Sequence, residues 1–162
     1  MAITLIVEDG SRPTGANTYA AVADADTYHA DRGFTAWDDA TDDEKATALI
    51  RATDYLNGLS WQGRKVAMRT MAWPRIDVVV DGYAVDSTVV PDEVVNATCY
   101  MAGEFVGGAD PLAAQDRALS SMKVGSVEMA WEQGSNPTPQ YPALKSILRG
   151  LLWADNVTRL VW

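Results

Sequence analysis

The chain has 162 residues, 48% of them hydrophobic and 22% charged, which suits one compact core and excludes wholesale disorder. Its net charge is −9, with 13 Lys and Arg against 22 Asp and Glu, which argues against tight, sequence-independent gripping of a polyanion. One cysteine (Cys99) and one histidine (His29) exclude an internal disulfide and any multi-cysteine or multi-histidine metal site.

Residues 3–7 (ITLIV) predict a short strand closed by the turn signal Glu8-Asp9-Gly10, and residues 10–18 predict a loop. A helix is predicted over about 22–32, with Asp24 in its first turn, Gly33 as its stop, and Val22 and Tyr28 on its buried face. The next helix, 41–58, carries the strongest local signal. Thr41 and Glu44 stand at capping-box spacing, and Leu49, Ala52, Thr53 and Leu56 share one face. The acidic cluster Asp38, Asp39, Asp42, Asp43 and Glu44 reads as helix N-terminal charge rather than as a metal site.

Residues 61–90 read as irregular and β-like. Trp73-Pro74 predicts an extended segment, and Asp81-Gly82 between 76–80 and 83–85 predicts a hairpin on a type I′ turn. A third helix, 91–107, begins at Pro91 with Asp92 and Glu93 beside it. It presents Val94, Ala97, Thr98, Met101 and Phe105 as an apolar stripe and stops at Gly107-Gly108. Cys99 lies within it and reads as a small buried hydrophobe, not a nucleophile. Residues 122–131 alternate, with Val127, Met129 and Trp131 on one face, and predict a strand. A short amphipathic helix is predicted from Pro142 to about Leu152, followed by an apolar segment, 153–162, with Trp153, Val157, Leu160, Val161 and Trp162. An apolar segment too short for its own core needs a surface to cover.

The predicted fold class is mainly α: a small helical bundle over 1–152 with short strands and a hairpin, then an extended C-terminal arm over 153–162. Leu49, Leu56, Val94, Met101 and Phe105 are the predicted core.

The motifs of catalysis are missing. There is no GxxxxGK[ST], no GxGxxG and no nucleophile elbow, and Asp24 and Asp26 are spaced to point to different faces of a helix. The reading is therefore non-enzymatic, with no catalytic residue, cofactor or metal, and His29 is read as a surface or packing residue. No apolar run approaches the ~20 residues that cross a bilayer, and MAITLIVEDG lacks the basic start of a signal peptide. Together with the single cysteine, these predict synthesis in a reducing cytoplasm and no membrane partner.

Several stretches in order resemble a family of small tailed-phage proteins labelled DnaT-like single-stranded-DNA-binding, whose members look like head–tail adaptor or head-completion proteins. They are LIVEDG (5–10), ANTYAAVADADTYHADRG (16–33), Trp37, EKATALIRATDYLNG (44–58), QGRK (62–65), MAWPR (71–75), VPDEVVNATCYMA (90–102), KVGSVEMAW (123–131) and YPALKSILRGLL (141–152). This chain departs from the family pattern at Ala21, where a Ser would cap the first helix, and at Arg69, where a Gln is usual.

The resemblance implies a connector in the virion neck. Such a protein forms a ring of about twelve copies on the portal, around the DNA channel, and links the portal to a stopper or tail-completion protein. An acidic ring would let double-stranded DNA pass without specific binding. The expected portal interface is Leu148, Leu151, Leu152, Trp153, Val157, Leu160, Val161 and Trp162. The alternative is a replication accessory that binds single strands through the one basic, aromatic stretch, with Trp61, Arg64, Lys65, Arg69 and Arg75 as contacts.

Overall fold

The computed structural model describes residues 3–113, 121–124, 127–130 and 141–153. The architecture is mainly α. The helices are α1 (Val22–Ala30), α2 (Thr35–Asp38), α3 (Asp42–Asn57), α4 (Asp92–Val106) and α5 (Pro142–Ile147). The strands are short and pair antiparallel in three separate ladders: β1 (Arg64–Lys65) with β2 (Arg75–Ile76), β3 (Val79–Val80) with β4 (Tyr83–Ala84), and β5 (Ser121–Val124) with β6 (Val127–Ala130).

α4 is the hub, packed against α1, α2, α3 and α5. A helix with neighbours on several sides must be apolar over more than one stripe. Cys99, Ala102 and Gly103 are accordingly buried along with Val94, Ala97, Thr98, Met101 and Phe105. All five residues predicted for the core are buried, and Tyr28 joins them, whereas Val22 is only half-buried. Two threonines inside the core satisfy their hydroxyls within their own helices, Thr53 Oγ1 donating to the Leu49 carbonyl at 2.9 Å and Thr98 Oγ1 to the Val94 carbonyl at 2.8 Å.

The caps follow the sequence closely. In α3 the Glu44 carboxylate accepts from the Thr41 N–H at 2.8 Å, and the Glu44 N–H donates to Thr41 Oγ1 at 3.4 Å. At α1 the residue before the helix, Ala21, offers no side-chain acceptor. Only half a box forms there, as the Ala21 N–H donates to the Asp24 carboxylate at 2.8 Å.

Two expectations need correction, a third is met over a shorter span, and one helix is new. The strand expected at 3–7 is reduced to one bridge, Val7 to Thr18. Its backbone is met instead by Asn17, which accepts from the Ile6 N–H at 2.8 Å and donates to the Thr4 carbonyl at 3.0 Å. The hairpin at 76–85 is shorter than expected but turns as expected, with Asp81 and Gly82 at φ +51° and +87°. The single strand expected at 122–131 is instead an antiparallel pair, β5 with β6, in which Val124 pairs with Val127. The short helix α2 was not anticipated.

Candidate functional site

The two groups of residues singled out by sequence meet on one part of the molecule. After α5 the chain runs beside residues 60–62. The Gln62 N–H donates to the Leu151 carbonyl at 2.9 Å, the Trp153 N–H to the Ser60 carbonyl at 2.9 Å, and the Gln62 side chain to the Gly150 carbonyl at 2.6 Å. Trp61 and Leu152 form the bridge between the two segments.

This arrangement sorts the expected interface residues. Leu148 and Leu151 belong to the domain's own core, at 0% and 2% exposure, so their apolar surface is already covered and is not offered to a partner. Leu152 is half-buried against the core. Trp153 is 62% exposed where the described segment ends. Val157, Leu160, Val161 and Trp162, with the rest of the expected arm beyond Trp153, lie outside the described residues.

The basic, aromatic stretch is sorted as sharply. Trp61 and Trp73 are buried and meet edge to face, with centroids 5.5 Å apart. Trp61 also donates its Nε1–H at 2.8 Å to the Leu56 carbonyl in the last turn of α3, which accepts from the Leu59 N–H as well. Arg75 is buried too. Its guanidinium forks onto three carbonyls, those of Gln62 (2.6 Å), Gly63 (2.8 Å) and Ala72 (3.1 Å). Burial pulls its pKa below the ordinary value, and the nearby Tyr19 works in the opposite direction. Trp61 and Arg75 are therefore framework for the 61–76 loop rather than surface contacts.

Arg64, Lys65 and Arg69 remain on the surface, each with a partner inside the chain. Arg64 pairs with Asp77 at 3.0 Å, Lys65 donates to the carbonyls of Arg69 and Thr70, and Arg69 donates to the Arg12 carbonyl. Sequence reasoning passed over Met68, which is fully exposed between Lys65 and Arg69. An apolar residue flanked by cations was the available signal.

A second anchor fixes this loop to the segment just before α1 and to the last residue of α3. The Tyr19 hydroxyl donates to Asn57 Oδ1 at 2.6 Å and accepts from the N–H groups of Ala72 and Trp73, at 2.8 and 3.1 Å. Burial pushes the Tyr19 hydroxyl pKa up to about 12, so it stays protonated and able to donate.

The single histidine and the single cysteine are both packed inside the core. His29 is buried, stacked on Trp37 at 4.6 Å and flanked by Tyr28 and Phe34. Its Nε2 lies 3.0 Å from the Cys99 carbonyl, which can only accept, so Nε2 carries the proton. Burial lowers the His29 pKa and pushes the Cys99 thiol up to about 12. Among the described residues, no group of three or more His, Cys, Asp or Glu is arranged to hold a metal ion. No helix there is long and apolar enough to cross a membrane.

The model of the family described as "Putative DnaT-like ssDNA binding protein" matches residues 3–161. The chain belongs to that family. The match to the DnaT-like family takes in the helical core, the 61–76 loop and the segment after α5 together. No curated protein and no solved structure matches the chain.

Proposed function

We propose that this DnaT-like chain is a structural head–tail adaptor of a tailed bacteriophage. It forms a ring docked on the portal around the DNA channel and links the portal to the next neck or tail-completion protein. The observation that carries this reading is the hydrogen-bonded segment 150–153. It brings the chain to the surface at an exposed indole, Trp153, directly before a sequence holding Val157, Leu160, Val161 and Trp162. Aromatic side chains that leave a domain unburied are the usual anchors of protein interfaces. The net charge of −9 fits a subunit whose copies surround passing DNA without holding it.

The test is reconstitution with purified portal protein, read by size-exclusion chromatography with light scattering. The full chain co-migrates with the portal, and deletion of 153–162 abolishes co-migration while leaving the far-ultraviolet circular dichroism unchanged. A truncated chain that still docks sinks the role given to this segment. A full chain that never docks sinks the adaptor reading.

The family's description favours a second reading, binding of single-stranded DNA. Such binding needs aromatic platforms open to the bases. Trp61 and Trp73, the tryptophans nearest the exposed cations, are at 4% and 1% exposure. Filter binding at ~0.15 M salt is expected to retain no single strand. Micromolar retention with a steep salt dependence would reverse the order of the two readings.

A further inference from the structure

The surface carries two features opposite in charge, one near each end of α3. A groove of about 490 Å3 lies against the first half of α3, with α2 and the end of α4 also lining it. Ala40, Ala48, Phe105 and Val106 supply its apolar lining, and Asp39, Asp43 and Glu44 supply exposed carboxylates. The cation in the lining, Arg51, is already engaged. It sits 4.5 Å from the centroid of the Phe105 ring and pairs with Asp110 at 2.6 Å. Among the described residues none of the three carboxylates enters a salt bridge.

The loop at 64–70 is the complement. It carries Arg64, Lys65 and Arg69 and exposes Met68 completely. Arg64 is offset by Asp77, which leaves Lys65 and Arg69 on either side of the methionine. The loop is tied to the far end of α3, because Asn57 Oδ1 accepts from the Ala72 N–H at 2.8 Å. The part of α3 that lines the groove, Asp43 to Arg51, lies about 9–21 Å before Asn57 along the axis at ~1.5 Å of rise per residue, and none of residues 64–70 is in the lining. A subunit therefore does not fill its own groove with its own loop.

We propose that Met68 of one copy seats in the groove of the next, with Lys65 and Arg69 against Asp39, Asp43 and Glu44. Charge complementarity selects the occupant: the chain is strongly acidic, and this short basic loop with an apolar tip matches an apolar groove edged with carboxylates. A groove of about 490 Å3 has room for a methionine side chain and the stem of a flanking lysine or arginine. The contact joins two different surfaces of the same chain, so it propagates from copy to copy and closes when the rotation allows. Its closure into a ring rests on the adaptor reading, but the pairwise contact does not.

Cysteine cross-linking tests the contact. Under mild oxidation the double variant M68C/A40C is expected to give a ladder of covalent multimers. A mixture of the single variants M68C and A40C should give dimers, and neither single variant alone should give any. The buried Cys99 stays out of the reaction. Adding K65E/R69E to the double variant should cut the ladder at least tenfold, and further adding D39K/D43K should restore it. A double variant that stays monomeric, or M68C cross-linking to itself as well as to A40C, overturns the proposal.

Portal docking is measured in parallel. A ladder without portal binding sinks the adaptor reading and leaves the contact standing. Full docking without a ladder sinks the contact alone.

Discussion

Replacing Arg75 with lysine keeps the charge and removes the fork. The guanidinium meets three carbonyls at 2.6, 2.8 and 3.1 Å with a residue exposure of 8%. A lysine ammonium is a single point on a flexible stem and cannot reach all three. Hydrogen bonds from charged groups are worth about 1.5–3 kcal/mol each, and an orphaned buried acceptor is costly. Losing one or two of the three, with partial relaxation, gives about 2 kcal/mol for Arg75→Lys. For a chain of this length that lowers the melting temperature by about 4–8 °C. Differential scanning calorimetry measures it, with Arg64→Lys as the control. Arg64 sits in an exposed pair with Asp77, and such pairs contribute little. If Arg75→Lys melts within about a degree of the parent, the three bonds are not holding the loop and the framework role assigned to Arg75 is wrong.

Removing the Tyr19 hydroxyl, in Tyr19→Phe, deprives the Trp73 N–H of its acceptor and Asn57 of a donor, and should cost about 1–3 kcal/mol in urea denaturation. Gly103→Ala gains helix propensity yet should lose about 1–3 kcal/mol, because the new Cβ would lie 2.5 Å from His29 Cε1 and 3.3 Å from Phe34 Cε1. An unchanged or raised urea midpoint would show that the ring cluster yields freely. His29 has a folded pKa below its unfolded value of ~6.5, so the unfolded chain takes up the proton first. Stability is then fully present above that value and lost as pH falls below it. The urea midpoint should drop between pH 7.5 and 5.5, and by less in His29→Gln. The Cys99 thiol should ignore a thiol reagent in the native protein and react only on unfolding; fast native labelling would contradict its burial.

Much of the fold was legible because its signals are local. The Thr41–Glu44 box, Pro91 with the acids after it, and Asp81-Gly82 each state their structure within four residues, and α3, α4 and the hairpin follow. What was not legible depended on distant partners. The run at 3–7 has strand composition, but Asn17 takes up its hydrogen bonds. Leu148 and Leu151 looked like part of a portal interface because nothing local reveals that α5 packs on α4. Trp61 and Arg75 stood as the alternative, nucleic-acid contacts because their types match such a surface, although a core or interface tryptophan pair was the preferred reading of the stretch. Only the fold shows that the tryptophan faces Trp73 and the arginine faces carbonyls of its own loop.

The covering of α4 by α5 sets a schedule for biosynthesis. Leu144, Leu148 and Leu151 complete the core, yet they are made about 38 to 45 residues after α4 ends. At roughly 5–20 residues per second, translation takes about 2–9 s to cross that gap. Until those leucines are made, α4 lacks the element that covers one of its apolar sides. A ribosome stalled short of residue 144 would release a product that is sticky rather than merely shorter, and a chaperone has those seconds in which to hold it.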